Sequence, residues 1–406
     1  MRIRSYRALR PVPSLAGTIA SLPYDVVTTS EARALAEGNP LSMLRVVRAD
    51  LEFPDGTDPY SEPVYARARE NFDRLVRNGH LERESGPALY IYRQQLGSHR
   101  QTGVAALCHV DDYDAGVIRK HENTRPDKEN DRTRLTALLR ANPGPVFLTY
   151  RDHASIDARV AEATRRAPLF DFTAPDGIHH TVWRVEETEA LAEGFAPVPC
   201  AYVADGHHRA ASAARVAREC RSANPGHRGD EDYNWFLTVL FPATQVRILP
   251  YNRLVADLNG LSPAGLLDKL RAIGTVRSAA SSSPSRPGVV CFHLADGAWR
   301  ELALPAPKDD DPVSRLDVSV LQDRVLGPVL GIEDPRTSRR IDFAGGIRGT
   351  TFLEEEVRAG RAAAAFSMHA VTVDQLMRIA DAGRIMPPKS TWFEPKLRSG
   401  LFMHTF

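Results

Sequence analysis

The chain lacks the patterns that mark several classes of protein. Its four cysteines show no C-x-x-C spacing, which argues against a cysteine metal knuckle and indicates reduced thiols. No run of about eighteen apolar residues occurs, and no apolar segment follows the basic N-terminus, so neither a membrane span nor a signal peptide is predicted. The 52 basic and 51 acidic residues nearly cancel, which disfavours a nucleic-acid partner. We therefore expect a cytoplasmic protein.

Length and composition indicate a globular protein with more than one lobe. The chain has 406 residues, of which 43% are hydrophobic and 25% charged. Strand-like and helix-like patterns alternate, which predicts an α+β fold. After Leu249 the composition changes, and a Ser/Pro-rich stretch (278–287) and an acidic loop (308–312) are typical of surface insertions. We predict a core over residues 1–250 and a second α+β lobe over residues 251–406.

Local patterns predict the individual elements. Thr28 and Glu31 form a capping box that begins a short helix, which ends at Gly38. Longer helices are predicted over 62–77 and 126–140, the second opened by a proline. The predicted strands are 88–94, 102–109, 145–150, 182–185, 200–204, 233–241, 246–249, 289–294 and 299–304, and further helices are predicted over 315–326 and 373–382.

The segment Tyr202–Ala210 reads Tyr-Val-Ala-Asp-Gly-His-His-Arg-Ala and predicts a buried strand, a tight turn and an alanine-rich helix. A helix that begins at such a turn presents free backbone N–H groups and a positive dipole, which favour a phosphate group. Arg209 adds a planar cation, and His207 and His208 add donors that titrate near neutral pH. The alternative is that Asp205 caps the helix and the two histidines are solvated.

A second polar segment runs Arg-Lys-His-Glu-Asn-Thr-Arg over residues 119–125. Glu122 lies among cations that keep its carboxylate ionised, so it suits a general base or a metal ligand. Asn123 and Thr124 offer neutral oxygen atoms for a metal or a hydrogen bond. The alternative is a solvated, charged loop that precedes a helix.

The segment 385–397 near the end of the chain mixes prolines, two lysines, hydroxyl groups and aromatic rings. An ordinary docked tail would explain it. The other interpretation is that Lys389, Ser390 and Thr391 close over an anionic ligand, with the lysine as a point charge and the hydroxyl groups as donors.

Taken together, these motifs resemble the bacterial domain-of-unknown-function family ten-fifteen. The resemblance rests on His-Glu-Asn-Thr with the later Asp131-Arg132, on Asp-Gly-His-His-Arg, and on the terminal Met-Pro-Pro-Lys-Ser-Thr-x-Phe-x-Pro-Lys. The opening Leu-Pro-Tyr-Asp-Val-Val (22–27) and Asn-Pro-Leu-Ser (39–42) also match, so nearly the whole chain is covered. Asn252 stands where the family is expected to show histidine.

That family is distantly similar to the ParB/sulfiredoxin superfamily and its free serine kinases. The resemblance implies a mixed-sheet nucleotide-binding core whose phosphate turn consists of Asp205, Gly206, His207, His208 and Arg209. It implies Glu122 as the catalytic base, with His208 as a second catalytic residue. Asn123, Thr124, Lys389, Ser390 and Thr391 are expected to bind the substrate, in a site that the terminal segment closes, and Glu122 and Asn123 are expected to bind Mg²⁺.

The expected activity is an ATP- or ADP-dependent, Mg²⁺-assisted kinase acting on a small hydroxyl compound, with free L-serine as the best single guess. Such chemistry needs charge neutralisation and alignment more than covalent catalysis. The alternatives are a phosphatase or phosphoester hydrolase that uses the same anion site, and a non-catalytic, nucleotide-binding ParB-like switch. The near-zero net charge disfavours DNA as the partner of such a switch.

Overall fold

The computed structural model describes residues 1–307 and 309–406. Lys308, the first residue of the predicted acidic loop, lies outside the described residues. The chain divides into two compact units. The first comprises Met1–Val246 together with Pro395–Phe406, and the second comprises Arg247–Glu394. The predicted division into a catalytic core and a closing lobe stays a prediction.

A nine-stranded mixed sheet forms the centre of the first unit. The spatial order of its strands is Ile118–Arg119, Ala201–Asp205, Val146–Tyr150, Trp235–Pro242, His99–His109, Leu89–Leu96, His179–Val185 and Phe170–Thr173, and Ile3–Arg4 pairs with His99–His109. Parallel and antiparallel pairs both occur, so the predicted mixed sheet is present. Short two-stranded pairs join Leu9–Pro11 to Leu81–Arg83 and Ala141–Asn142 to His404–Thr405.

The central strands are apolar on both faces because helices and loops cover both sides of the sheet. Residues 104–108 of His99–His109 are all fully buried. The helices of this unit are Ala16–Ile19, Thr29–Leu35, Leu44–Val47, Glu62–Arg77, Val110–Asp114, Pro126–Leu139, Ala154–Ala163, Glu189–Gly194 and His207–Ala223. Short 3₁₀ turns cover Pro13–Leu15, Ala49–Glu52, Asp232–Asn234 and Ala243–Gln245.

Local sequence signals account well for several of these helices. Thr28 and Glu31 form the predicted capping box. Glu62–Arg77 has the predicted bounds, and Val64, Phe72 and Leu75 lie on its buried face. Pro126–Leu139 ends one residue earlier than predicted, where Arg140 adopts a left-handed conformation that stops the helix.

The second unit contains a six-stranded sheet. Its strands, in spatial order, are Val276–Ser278, Trp299–Ala303, Val289–Leu294, Ala364–Ser367, Tyr251–Val255 and Ile341–Gly345. Ile248–Leu249 pairs separately with Trp392–Phe393. The helices are Pro263–Ile273, Asp317–Leu321, Gly349–Arg358 and Val373–Asp381, with a π-helical segment Gln322–Leu326 and a 3₁₀ turn Gly346–Arg348.

Within this unit Asn252 is buried, and its Oδ1 accepts a hydrogen bond from the backbone N–H of Met368 at 3.0 Å. The side chain at this unusual position therefore supports the local backbone. Of the helices in the described part of the chain, none is long and apolar enough to cross a membrane.

Candidate functional site

Two adjacent parallel strands bring the two polar segments together. Ile118–Arg119 pairs in parallel with Ala201–Asp205, so that Ile118 lies beside Ala201 and Arg119 beside Tyr202. Because parallel strands end at the same edge of a sheet, the residues that follow Arg119 lie beside the turn that follows Asp205. The rings of His121 and His207 accordingly meet edge to face, with centroids 4.5 Å apart.

A hydrogen bond also joins the two segments. The backbone N–H of Arg125 donates to Nε2 of His208 at 3.0 Å. This contact ties the end of the first segment to the first turn of the helix His207–Ala223. His208 therefore acts here as a hydrogen-bond acceptor that positions the neighbouring loop.

The turn itself depends on Gly206. Gly206 has a φ of 94°, a conformation that residues with a side chain rarely adopt, and it occupies the N-cap position of the helix His207–Ala223. A Cβ atom at this position would lie 2.9 Å from Nε of Arg209, because the arginine side chain folds back over the turn. The backbone conformation therefore favours glycine, and any side chain here would also displace the guanidinium of Arg209.

Asp205 does not cap the helix, so the capping alternative drawn from the sequence is wrong. The N-cap residue is Gly206, which has no side chain that could cap this N-terminus. The carboxylate of Asp205 instead lies between two cations, with Oδ1 2.8 Å from Nζ of Lys396 and Oδ2 2.7 Å from an Nη atom of Arg209. Burial alone would raise the pKa of Asp205, but Lys396 and Arg209 outweigh burial and hold this pKa well below its usual range.

The two buried imidazoles stay neutral near pH 7. Burial lowers the pKa of His121 to about 4, although a hydrogen bond to the backbone of Val203 opposes the shift. Burial also holds the pKa of His207 well below its usual range, and the nearby His121 adds to this effect. His207 therefore does not provide the charge near neutral pH that the sequence suggested. Its Nε2 is buried and has no hydrogen-bond partner among residues 1–307 and 309–406.

Glu122 is half-buried and lies beside these imidazoles. One ligand atom from each of His121, Glu122 and His207 falls within 4.8 Å of the others. Asn123, the other predicted metal ligand, is exposed. The hydroxyl group of Thr124 donates to Oε2 of Glu129 at 2.6 Å, so it supports the start of the helix Pro126–Leu139.

Arg209 lines a narrow cavity of about 30 Å³ that opens to solvent. One Nη atom of Arg209 donates to the carbonyl of Pro145 and the other to Asp205, while Nε is buried with no partner in the described chain. Tyr24, Arg132 and Ser399 also line this cavity.

Two of the predicted family motifs meet at the same cavity. The guanidinium of Arg132 lies 4.0 Å from the ring centre of Tyr24 and 2.6 Å from the carboxylate of Asp131. The hydroxyl group of Tyr24 is buried and has no hydrogen-bond partner within the described residues. Burial raises the pKa of this hydroxyl group, so it stays protonated and available as a donor. The cavity thus combines two guanidinium groups with an unused buried hydroxyl group.

The remaining predicted residues belong to the second unit. Lys389 has a φ of 53°, and its ammonium group lies 5.5 Å from the ring centre of Tyr251. The hydroxyl group of Ser390 is buried and donates to the carbonyl of Pro387 at 2.7 Å. The proposed contribution of Lys389, Ser390 and Thr391 to substrate binding stays a prediction.

Sequence reasoning missed four residues of this site as candidates. Lys396 falls within the quoted terminal motif, but its ion pair with Asp205 spans 191 positions of sequence. His121 is part of the quoted His-Glu-Asn-Thr motif, and Tyr24 and Arg132 are part of the other quoted motifs. The motifs themselves were therefore the available signal, although no local pattern indicated the role of each side chain.

Comparison with known proteins gives one family match and several distant structural likenesses. Residues 3–319 match the family described as Protein of unknown function (DUF1015). No curated protein matches the sequence. A free serine kinase in complex with AMP is 10% identical, with a TM-score of 0.38 over 73% of this chain and 91% of that one.

Two further solved structures show a similar degree of likeness. SbnI with a C-terminal truncation, from Staphylococcus aureus, is 11% identical, with a TM-score of 0.37 over 73% of this chain and 86% of that one. A conserved hypothetical protein from Pyrococcus furiosus is 10% identical, with a TM-score of 0.37 over 73% of this chain and 94% of that one. TM-scores this far below 0.5 are too low to define a shared function.

Proposed function

The chain belongs to the DUF1015 family, and we propose that it is a nucleotide-dependent phosphotransferase that acts on the hydroxyl group of a small molecule. The observation that carries this proposal is the convergence of a carboxylate, Glu122, with the uncapped helix N-terminus that begins at Gly206. Phosphoryl transfer requires these two elements: a site for phosphate charge, and a group that accepts the proton of the attacking hydroxyl.

The turn at Gly206 supplies the phosphate site. The N-cap residue of the helix His207–Ala223 is a glycine, so it places no capping side chain over the first turn, where the helix dipole favours phosphate oxygens. The Nε–H of Arg209 adds an unused donor beside the turn. Asp205 holds Arg209 in place, because its carboxylate pairs with this guanidinium while Lys396 balances the second oxygen. The turn is thus arranged before any ligand binds.

Glu122 supplies the base. In the proposed reaction, the acceptor hydroxyl oxygen forms a bond to the transferred phosphorus, and the bond between that phosphorus and the nucleotide oxygen breaks. The hydroxyl proton passes to the carboxylate of Glu122, and the nucleotide leaves with one phosphate fewer. His208, predicted as a second catalytic residue, has its Nε2 engaged by the backbone of Arg125, so we assign it to positioning of the loop.

The cavity beside Arg209 is the proposed acceptor pocket. Arg132, Arg209 and the unused hydroxyl group of Tyr24 make it suitable for a small molecule that carries an acidic group next to its hydroxyl. L-serine meets this description, as does any other small hydroxy acid. The finer assignment of the first unit to a ParB/sulfiredoxin-like core rests on the motif resemblance.

Mg²⁺ fits the residues of this site poorly. Mg²⁺ prefers oxygen ligands in octahedral geometry. The groups that lie close enough together to hold an ion are the imidazoles of His121 and His207 and the carboxylate of Glu122, which offer only one oxygen-bearing side chain. We therefore assign no catalytic step to a protein-bound Mg²⁺. Any Mg²⁺ that accompanies the nucleotide is treated as part of that substrate.

The proposal is tested by product formation. The pure protein is incubated with ATP, ADP or CTP, with Mg²⁺ in the buffer, and with a panel of amino acids, hydroxy acids and polyols, and products are identified by mass spectrometry. We expect a phosphorylated hydroxy acid that forms only when a nucleotide is present. Omission of the nucleotide is the control against phosphoester hydrolysis, which would proceed on phosphorylated compounds alone. Absence of any phosphorylated product across the panel would overturn the proposal.

A further inference from the structure

We propose that His121, Glu122 and His207 form a binding site for a divalent transition-metal ion such as Zn²⁺, Co²⁺ or Mn²⁺. The proposal does not depend on phosphotransfer, because it concerns what these three side chains bind and not which reaction follows. One ligand atom from each residue lies within 4.8 Å of the other two. Two imidazoles with one carboxylate are a common ligand set for these ions.

The separation of the ligand atoms is close to that of a formed site. Ligands bound at about 2.0 to 2.2 Å around one tetrahedral Zn²⁺ lie about 3.5 Å apart. Side-chain rotations that move the three ligand atoms by about 1 Å would therefore bring them to bonding distance of one ion. The backbone already fixes their positions, because His121 and Glu122 follow one strand and His207 follows its parallel neighbour.

The environment of each histidine supports metal binding. His121 is fully buried and forms a hydrogen bond with the backbone of Val203. A histidine that ligates a metal usually makes such a contact through its other ring nitrogen, which fixes the ring orientation. His207 is only 6% exposed, and its buried Nε2 atom finds no hydrogen-bond partner in residues 1–307 and 309–406. A metal ion would satisfy this buried nitrogen, which otherwise costs stability.

Three protein ligands leave at least one coordination position open. Such a position takes an oxygen donor, either water or an oxygen of an anionic ligand such as phosphate. The uncapped N-terminus at Gly206 begins beside His207, so the same oxygen donor would also meet the first N–H groups of the helix. We therefore expect the metal-loaded site to bind an oxyanion.

Metal binding is tested directly on the full chain after removal of metal with a chelator. Co²⁺ is titrated while visible absorption is recorded, and Zn²⁺ is titrated in competition with a chromophoric chelator. We expect one equivalent of either ion per chain, with no displacement by millimolar Mg²⁺. Substitution of a ligand should weaken binding by at least about 100-fold, the upper end of what loss of a supporting contact costs.

Two variants and one matched control localise the ion. His207→Asn and Glu122→Gln should each lose Co²⁺ affinity and absorption, while His227→Asn, which removes an exposed imidazole beyond the end of the same helix, should bind Co²⁺ as the wild type does. Circular dichroism establishes that each variant is folded. Wild-type Co²⁺ affinity in folded His207→Asn would overturn the proposal, as would the absence of stoichiometric binding to the wild type.

A measurement on the wild type alone covers the case in which a variant fails to fold. X-ray absorption of the Zn²⁺-loaded protein should show the scattering of two imidazole rings, and a shell of oxygen atoms only would overturn the proposal. None of these measurements uses a nucleotide or a turnover assay. Failure of metal binding would therefore leave the proposed phosphotransfer standing, and failure of phosphotransfer would leave the metal site standing.

Discussion

The ammonium group of Lys396 lies 2.8 Å from the carboxylate of Asp205, although 191 positions of sequence separate them. The Lys396 side chain is buried and the Asp205 side chain is 21% exposed, and Arg209 pairs with the other oxygen of the same carboxylate. The backbone carbonyl of Lys396 also accepts a hydrogen bond from Gln94 at 2.8 Å. The end of the chain thus helps to build the turn at Gly206.

Removal of the Lys396 charge should destabilise the first unit. Lys396→Met leaves a half-buried carboxylate with one cationic partner in place of two, and loss of a hydrogen bond to a charged group costs about 1.5 to 3 kcal/mol. Urea unfolding measures this change in the free energy of unfolding. Lys269→Met, which removes an exposed lysine, is the control and should change stability by less than about 0.5 kcal/mol. Equal stability of the two variants would show that the Lys396 ion pair contributes nothing.

Arg209→Ala should weaken nucleotide binding by about 1.5 to 3 kcal/mol, because a charge-assisted hydrogen bond to phosphate is lost. Lys396 remains beside Asp205, so the carboxylate keeps a cationic partner and the protein should still fold. Isothermal titration calorimetry measures the affinity. Arg215→Ala is the matched control, since Arg215 lies on the same helix and pairs with Glu219 at the surface. An unchanged affinity in folded Arg209→Ala would move the phosphate site elsewhere.

Removal of the hydroxyl group should affect stability differently at Tyr24 and at Tyr65. Tyr24→Phe removes a buried hydroxyl group with no partner in the described residues, so stability should stay equal or rise slightly. Tyr65→Phe removes a hydroxyl group that donates to Asp131 at 2.8 Å, and stability should fall by about 1 to 3 kcal/mol.

The Tyr24→Phe variant also tests the acceptor pocket. Tyr24→Phe should raise the KM for the acceptor by roughly 2- to 10-fold, the value of one hydrogen bond, because the free hydroxyl group is assigned to the substrate. Steady-state kinetics at saturating nucleotide measure this constant. If Tyr24→Phe leaves the acceptor KM unchanged, the cavity is not the acceptor pocket.

Acid should destabilise the first unit through His180. Burial holds the pKa of His180 well below its usual range, and the charge of Arg398, which donates to its Nε2 at 3.1 Å, lowers it further. Below about pH 6.5 the unfolded chain therefore binds a proton that the folded chain does not, so stability falls as the pH falls, by up to about 1.4 kcal/mol per pH unit. His180→Gln should reduce this slope in urea unfolding between pH 7 and pH 5, and an unchanged slope would contradict the assignment.

The sequence predicted those parts of the fold that local chemistry determines. The capping box at Thr28 and the amphipathic helix Glu62–Arg77 follow from residue patterns within one or two turns. The strand, glycine and helix around Gly206 were predicted for the same reason. Several strands were missed, and one of them, Ile118–Arg119, has only two residues and therefore no periodicity to detect.

The candidate site likewise has features that the local sequence predicts and features that it does not. The polar segments 119–125 and 205–209 were recognisable because unusual residues stand together in each. The function of single side chains depends on contacts across the sheet, which spacing along the chain does not reveal. Capping of the helix by Asp205 was therefore one of two interpretations left open by the sequence, whereas Lys396 and Arg209 hold its carboxylate. The neutrality of His207 likewise results from burial that only the folded chain creates.

The central claim is that Glu122 accepts the proton of the acceptor while the turn at Gly206 holds the phosphates. The most direct test uses protein freed of transition metal with a chelator and compares turnover and nucleotide affinity in wild type and Glu122→Gln, which keeps the shape of the side chain but removes the proton acceptor. Our account predicts that turnover falls by about 10²- to 10⁴-fold while the nucleotide Kd stays within about threefold. Wild-type turnover in folded Glu122→Gln would contradict the account, and so would a loss of nucleotide affinity with unchanged turnover per bound nucleotide.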